Sequence, residues 1–462
     1  MNHILKILFS NRLSGVLLLI FALAMALATF IENDYGTETA RALIYSAKWF
    51  EILILLLAIN FIGNIAKYNL FSWQKAPIFL FHLGFIIIIL GAGVTKYRGY
   101  EALMTIKEGE DSNRMISIDS YLQVQAGNGS INKNHSSTPL LLSELGFNSI
   151  HEKFDFDNKE VSIKLKEYIP RAKYTLEDDN TNGKTYLHVV IAENEQRRDF
   201  YIEKGKREVI FGIPIAFESQ NNMKGDITIK KSVGDWLATF PEDTNYFSML
   251  LNKSSYYPKD SLVPLQFKAL STINNLPVVF NEVVFNKTRK ITSTKKDSEK
   301  KNEESAIIVS VESGKDFKEV TLLGGRGYMN PYSTVFINGI HLKIRYGSKP
   351  IPLPFSLFLK DFTLERYPGS DSPSAFYSDF EVQEKNKLFN YTIFMNNVLN
   401  HRGYRFFQSA YLPDESGTIL SVNKDYWGTL ITYIGYGALG FGMFISLFWK
   451  NSHFAILLKT LK

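Results

Sequence analysis

The chain has 462 residues, no cysteine, and a formal charge of +6 from 52 Lys and Arg against 46 Asp and Glu. Missing thiols exclude a thiol–disulfide reductant, a thiolate-ligated haem protein, an ordinary iron–sulfur protein and a chain carrying its own Cys-x-x-Cys-His haem attachment site. The charge is modest and several of the basic residues flank apolar runs, so nothing points to nucleic acid.

Taken from the N-terminus, Leu13 to Ile31 is uninterrupted by charge and long enough to cross a bilayer. Ile44 to Ile65 and Pro77 to Thr95 are two further candidate spans, the former with Lys48 and Glu51 near one end. Trp427 to Trp449 is the fourth, with a tryptophan at each end, where an amphipathic ring suits the headgroup zone. The expected layout is three helices in 1–98, a polar segment over 99–425, and a fourth helix with a tail in 426–462. Lys6 and Arg12 precede the first span, Lys67 and Lys75 separate the second from the third, and Lys450, Lys459 and Lys462 follow the fourth. Both termini are therefore expected to be cytoplasmic and the polar segment extracytoplasmic, with span parity overruling Lys96 and Arg98. The Ala22-Leu-Ala24 to Ala28 stretch after a basic start offers a competing reading as a cleaved leader, although the run is long for one.

The polar segment has a β texture. Val161–Leu165, Tyr186–Ala192, Val209–Phe217, Ala306–Val311, Phe355–Leu364 and Tyr391–Met395 read as strands. Ser333–Ile337, Asn338-Gly339 and Ile340–Ile344 read as a hairpin, because Asn-Gly accepts the positive φ angles of a type I′ turn. Asn286 to Ser305 mixes charges of both signs with few apolar residues and is expected to be a mobile loop (286–305). The fold class is thus an α+β membrane protein, with a large, mostly-β, sandwich-like extracytoplasmic domain between the third and fourth of four transmembrane helices.

One residue stands out chemically. His82 lies inside the third apolar run, about 10 Å along the helix axis from Lys75 and so nearer the cytoplasmic end. An ionisable group there is costly and by default marks a functional site, and imidazole is a common ligand of metal and haem iron. The competing assignment is a histidine hydrogen-bonded to a neighbouring helix. His341 shares the face of Lys343 and Arg345 and is expected to be solvent-facing, and His135, His151, His188 and His401 lack metal-ligand spacing. Glu51 is expected to pair with Lys48, and Asn60 and Asn64, one turn apart, to bond a neighbouring helix. Gly435-Tyr-Gly437-Ala-Leu-Gly440 spells a dinucleotide fingerprint but has no preceding strand, so it reads as a packing seam, Ala438 and Gly442 being one small pair.

Ala28-Thr-Phe-Ile-Glu-Asn-Asp-Tyr-Gly36-Thr37 resembles the opening signature of the ResB/CcsB family of cytochrome c biogenesis proteins. Leu364 to Pro373 resembles a second block of that family, and Gly403 to Ser409 with Asp414–Thr418, Leu420–Asp425 and Gly428-Thr429 resembles a third. The resemblance spans essentially the full chain and implies a haem-delivery subunit of a cytochrome c synthase (System II), in a bacterial inner membrane. It further implies a CcsA-type partner, separate or fused downstream, which carries most of the attachment chemistry to apocytochrome c. By the same resemblance His82 is an axial ligand of a transient, transported haem b, and hence both its cofactor-binding and its metal residue; no catalytic residue is assigned. Two other functions remain open: a non-enzymatic scaffold whose β domain recruits apocytochrome or partner, and a membrane-tethered sensor.

Overall fold

The computed structural model describes residues 3–128, 132–193, 196–248, 252–274, 276–294, 304–385, 387–412 and 414–449. Six helices carry the ends of the chain: α1 (His3–Leu8), α2 (Asn11–Tyr35), α3 (Thr37–Ala40), α4 (Lys48–Lys67), α5 (Ala76–Arg98) and α6 (Tyr426–Phe448). Of these, α2, α4, α5 with the turn before it, and α6 are long and apolar enough to span a bilayer. The second span begins four residues later than the apolar run, because Arg41–Tyr45 forms a π-helical turn and the chain extends at Ala47.

The β strands divide the chain into two compact units, one built from 1–172, 293–411 and 415–462, the other from 173–292 with 412–414. In the first unit an eight-stranded sheet runs in the order 387–394, 373–384, 350–366, 111–117, 100–107, 417–424, 404–411, 399–401. It curls around Met104, Phe355, Phe380, Phe406 and Leu420, all fully or nearly fully buried. Two four-stranded sheets, 316–324/305–313/159–169/151–156 and 333–337/340–347/121–127/132–136, face each other across a core of Leu122, Val161, Ile307, Leu342 and Tyr346. The second unit packs a five-stranded against a seven-stranded sheet around Val189, Ile215, Phe240 and Phe280.

The expected hairpin is present, with Ile337 opposite Ile340 and with Asn338 and Gly339 at φ 48° and 76°. Val209–Phe217 is instead two strands, 206–210 and 213–217, turned by Phe211 (φ 48°) and Gly212 (φ 78°). The expected loop 286–305 is also corrected. Residues 286–293 finish an 18-residue strand, Leu276–Ser293, and Ser305 opens the next, while 295–303 lie outside the described residues. The charges that suggested a solvated loop make cross-strand pairs: Lys290 with Glu177 at 2.5 Å, Lys287 with Asp178 at 2.8 Å, and Arg289 over the ring of Tyr174.

The glycines of α6 make a packing seam, though at seven-residue rather than four-residue spacing. Gly428, Gly435 and Gly442 are buried against α5, opposite its own buried Gly84 and Gly91. A Cβ at Gly435 would lie 2.7 Å from Ile88 Cγ1 and 2.9 Å from Ile88 N. At Gly437, on another face, it would meet nothing within 4 Å. Gly435→Leu is therefore expected to lower stability by about 1–3 kcal/mol or more through overpacking. Gly437→Ala should leave the melting temperature of the detergent-solubilised protein nearly unchanged, and equal effects of the two would refute the seam.

Candidate functional site

Three groups of polar side chains lie on or against the apolar helices, and they differ in how fully they are satisfied. The first joins α1, α2 and α4. Asn60 Nδ2 donates to Leu8 O at 2.6 Å and Ser10 O at 3.3 Å, while its Oδ1 accepts from Ser14 Oγ at 2.5 Å and Asn64 Nδ2 at 3.0 Å. Asn60 and Asn64 thus do bond a neighbouring helix, and they close the carbonyls freed where α1 gives way to α2. The second group is Glu51, which pairs with Lys48 at 2.8 Å, as expected, and also with Lys96 of α5 at 2.9 Å. Both groups read as structural.

His82 differs. It sits two turns into α5, a helix that Pro77 opens without loss because a first-turn N–H has no intrahelical acceptor. Its Nδ1 lies 2.9 Å from Ile78 O. A carbonyl only accepts, so Nδ1 carries a proton, and in the neutral ring Nε2 would keep a lone pair. Nε2 has no partner among the described residues. The surroundings are aromatic: the Phe61 ring of α4 meets the imidazole edge-on at 5.8 Å, Phe81 lies at 5.9 Å, and Phe85 stacks on Phe61 at 5.2 Å. A histidine that ligates metal through one nitrogen commonly fixes its tautomer by donating the other N–H to a carbonyl. The donor set therefore fits one axial bond to haem iron, with flat apolar rings against which a porphyrin can lie.

A further polar cluster was not foreseen. The connection between α2 and α4 presses α3 against the paired four-stranded sheets. Arg41 Nη1 donates to Asp119 Oδ1 at 2.6 Å, and Thr39 Oγ1 accepts from the Glu144 amide at 3.2 Å. Glu144 itself takes a two-pronged ion pair from Arg171. Burial raises the Glu38 carboxyl pKa above its ordinary 4.5, only partly offset by the nearby cations Arg326 and Arg41. Burial likewise raises the phenol of Tyr346, whose hydroxyl lies 3.0 Å from Ser305 Oγ. The sequence signal was too thin: Glu38 and Arg326 are remote in the chain, and only folding brings them together.

His135, His188 and His401 make ordinary contacts. His135 meets Glu152 at 2.9 Å, His188 meets Asp199 at 2.7 Å, and His401 meets Glu384 at 3.1 Å. Among the described residues no three His, Cys, Asp or Glu side chains gather to hold a metal ion. His341 and Lys343 are exposed as expected. Arg345 is not: it is buried, donates to Gln123 Oε1 at 2.6 Å and lies over the Tyr332 ring.

Four helices long and apolar enough to cross a bilayer bracket a β region, the layout of a multi-pass membrane protein. Comparison with known proteins narrows it. Residues 322–422 match the ResB-like family. Protein NrfI of Wolinella succinogenes is 28% identical over 459 residues, covering 99% of this chain and 36% of that protein. The chain thus spans about a third of the length of that relative. The chain is thus similar to the ResB-like family over residues 322–422 and to NrfI along nearly its whole length.

The raised Glu38 pKa has a definite sign. The folded state binds the proton more tightly than the unfolded one, so this contribution is full below the ordinary carboxylate pKa and is lost as pH rises through the folded value. Glu38→Gln is expected to flatten the pH dependence of the melting temperature in the window just above pH 4.5, gaining most on the wild type at its upper end. A wild-type pH profile unchanged by the substitution would show that Glu38 is not desolvated.

Proposed function

We propose that this chain crosses a bacterial inner membrane four times, both termini in the cytoplasm, and delivers haem for cytochrome c maturation. Kinship with ResB-like proteins supports a place in cytochrome c biogenesis. Haem b is the cargo, a CcsA-type membrane protein the partner, and apocytochrome c the acceptor of the thioether-linked product. In this reading, which follows the family resemblance, covalent attachment belongs mainly to that partner.

The observation that carries this reading is the state of His82. An imidazole nitrogen left without a partner among lipid-facing helices costs several kcal/mol. Here one nitrogen is tied to Ile78 O and the other is free beside Phe61 and Phe81. The neutral form of imidazole is the one that binds iron. One histidine fills one axial position, so the partner is expected to supply the second.

Two experiments test this. The chain has no cysteine, so single introduced thiols report sidedness cleanly. Asp371→Cys should react with an impermeant maleimide in intact spheroplasts, and Gln74→Cys only after lysis; the reverse pattern overturns the orientation. Secondly, co-expression with a CcsA-type partner should yield a complex with haem b absorbance. His82→Gly should lower haem retention on the order of tenfold or more, with recovery in added imidazole. A wild-type spectrum and normal cytochrome c without imidazole would exclude ligation by His82 and favour a scaffold whose helices only anchor the β region.

A further inference from the structure

Where α5 ends and α6 begins, a cavity of about 370 Å³ opens at the end of the helix pair nearest the β strands. Its walls are Val94 and Arg98 of α5, Arg402 and Gly403, and Lys424, Asp425, Tyr426 and Trp427 leading into α6. The turn that brings Arg402 there is a tight one: His401 pairs with Tyr404, and Arg402 and Gly403 take φ 50° and 79°.

Three cations thus meet one carboxylate. Asp425 is already engaged, its Oδ2 accepting from Thr95 Oγ1 at 2.6 Å. Arg402 pairs with Glu384 at the rim. Lys424 Nζ donates to the neutral Tyr404 hydroxyl at 2.9 Å and lies 4.1 Å from that ring's centroid, so its charge is not cancelled. Arg98 is exposed and has no acidic partner among the described residues. Beside these charges stand Val94 and the largely exposed rings of Tyr426 (57%) and Trp427 (66%), the kind of belt that marks a bilayer–water boundary.

We propose that this cavity holds the phosphate of an anionic phospholipid, between Arg98 and Lys424, with Val94 and Trp427 against the glycerol and upper acyl chains. The assignment rests on the reading that α5 and α6 cross a membrane. A soluble anion would want polar walls throughout, whereas cations at the edge of an apolar span fit a headgroup whose tails lie alongside the helix. The haem edge fits less well. Arg98 follows His82 by sixteen residues on the same helix, about 24 Å along its axis and roughly 160° around it, so the cavity lies off the His82 face.

Trp427 supplies the readout. The full chain is placed in phosphatidylcholine nanodiscs and titrated with brominated phosphatidylglycerol, and quenching is compared with that of Trp427→Phe to isolate the ring. Phosphatidylglycerol should quench at lower mole fraction than brominated phosphatidylcholine. Each of Arg98→Gln and Lys424→Gln should weaken that preference about fivefold, since a basic residue near an anionic surface contributes about 1 kcal/mol. Lys360→Gln, far along the eight-stranded sheet, should leave it alone. Equal quenching by both lipids overturns the proposal, as does relief of quenching by inorganic phosphate, which indicates a free-anion site. Displacement of the lipid by haem, lost in the same variants, reassigns the cavity to porphyrin carboxylates and also overturns it. If the cysteine labelling shows correct insertion while the lipid preference is absent, this inference alone fails; if insertion itself fails, so does the reading beneath it.

Discussion

The architecture hangs on one antiparallel pairing that changes form halfway along. Helices α5 and α6 pack through glycines at seven-residue intervals, and at their ends they continue directly into two paired strands. Tyr100 lies opposite Lys424, and the register runs unbroken to Lys107 opposite Gly417. Thr95 and Asp425 bridge the junction with a 2.6 Å hydrogen bond between residues 330 positions apart. Bringing such distant segments together carries an entropic cost that grows only slowly with length. A long insertion between them is therefore tolerable, and the rest of the β region is that insertion.

The apolar helices then act as a filter on polar chemistry. In lipid a polar atom must find a partner within the protein. The Ser14–Asn60–Asn64 group does so by sealing a helix break, leaving only Asn64 Oδ1 unbonded. Glu51 does so with two lysines. His82 does so by halves, and that asymmetry makes it chemically different from its neighbours. A fully bonded imidazole would be structural glue, whereas this one bonds a carbonyl through one nitrogen and has no partner for the other among the described residues.

Much of this was legible in the chain, for reasons that can be named. Spans announce themselves through length and lack of charge, and Asn338-Gly339 announces a turn because few residue pairs accept its backbone angles. Phe211-Gly212 turns the chain in the same way, but a bulky residue at φ 48° gives no warning, so two strands read as one. The charges of 286–293 misled because cross-strand pairing uses the same residues that solvation would. Arg345 misled because alternation predicts which face a side chain takes, not whether another element covers that face. The site at His82 was visible as an anomaly in an apolar run, whereas the Glu38 cluster depends on contacts between remote segments.

The extent of the family match bears on how the parts are coupled. Residues 322–422 include Arg326 and Tyr346, which interact electrostatically with Glu38, and the 404–411 and 417–424 strands that lead into α6. The compact unit at 173–292 falls outside it. Within the match, Arg366, the last residue of a 17-residue strand, forms an ion pair with Glu415, so the two later sequence blocks meet in space. The matched segment thus carries the strands that lead into α6, while the hydrogen bonds to the loop after α2 come from Asp119 and Glu144 outside it.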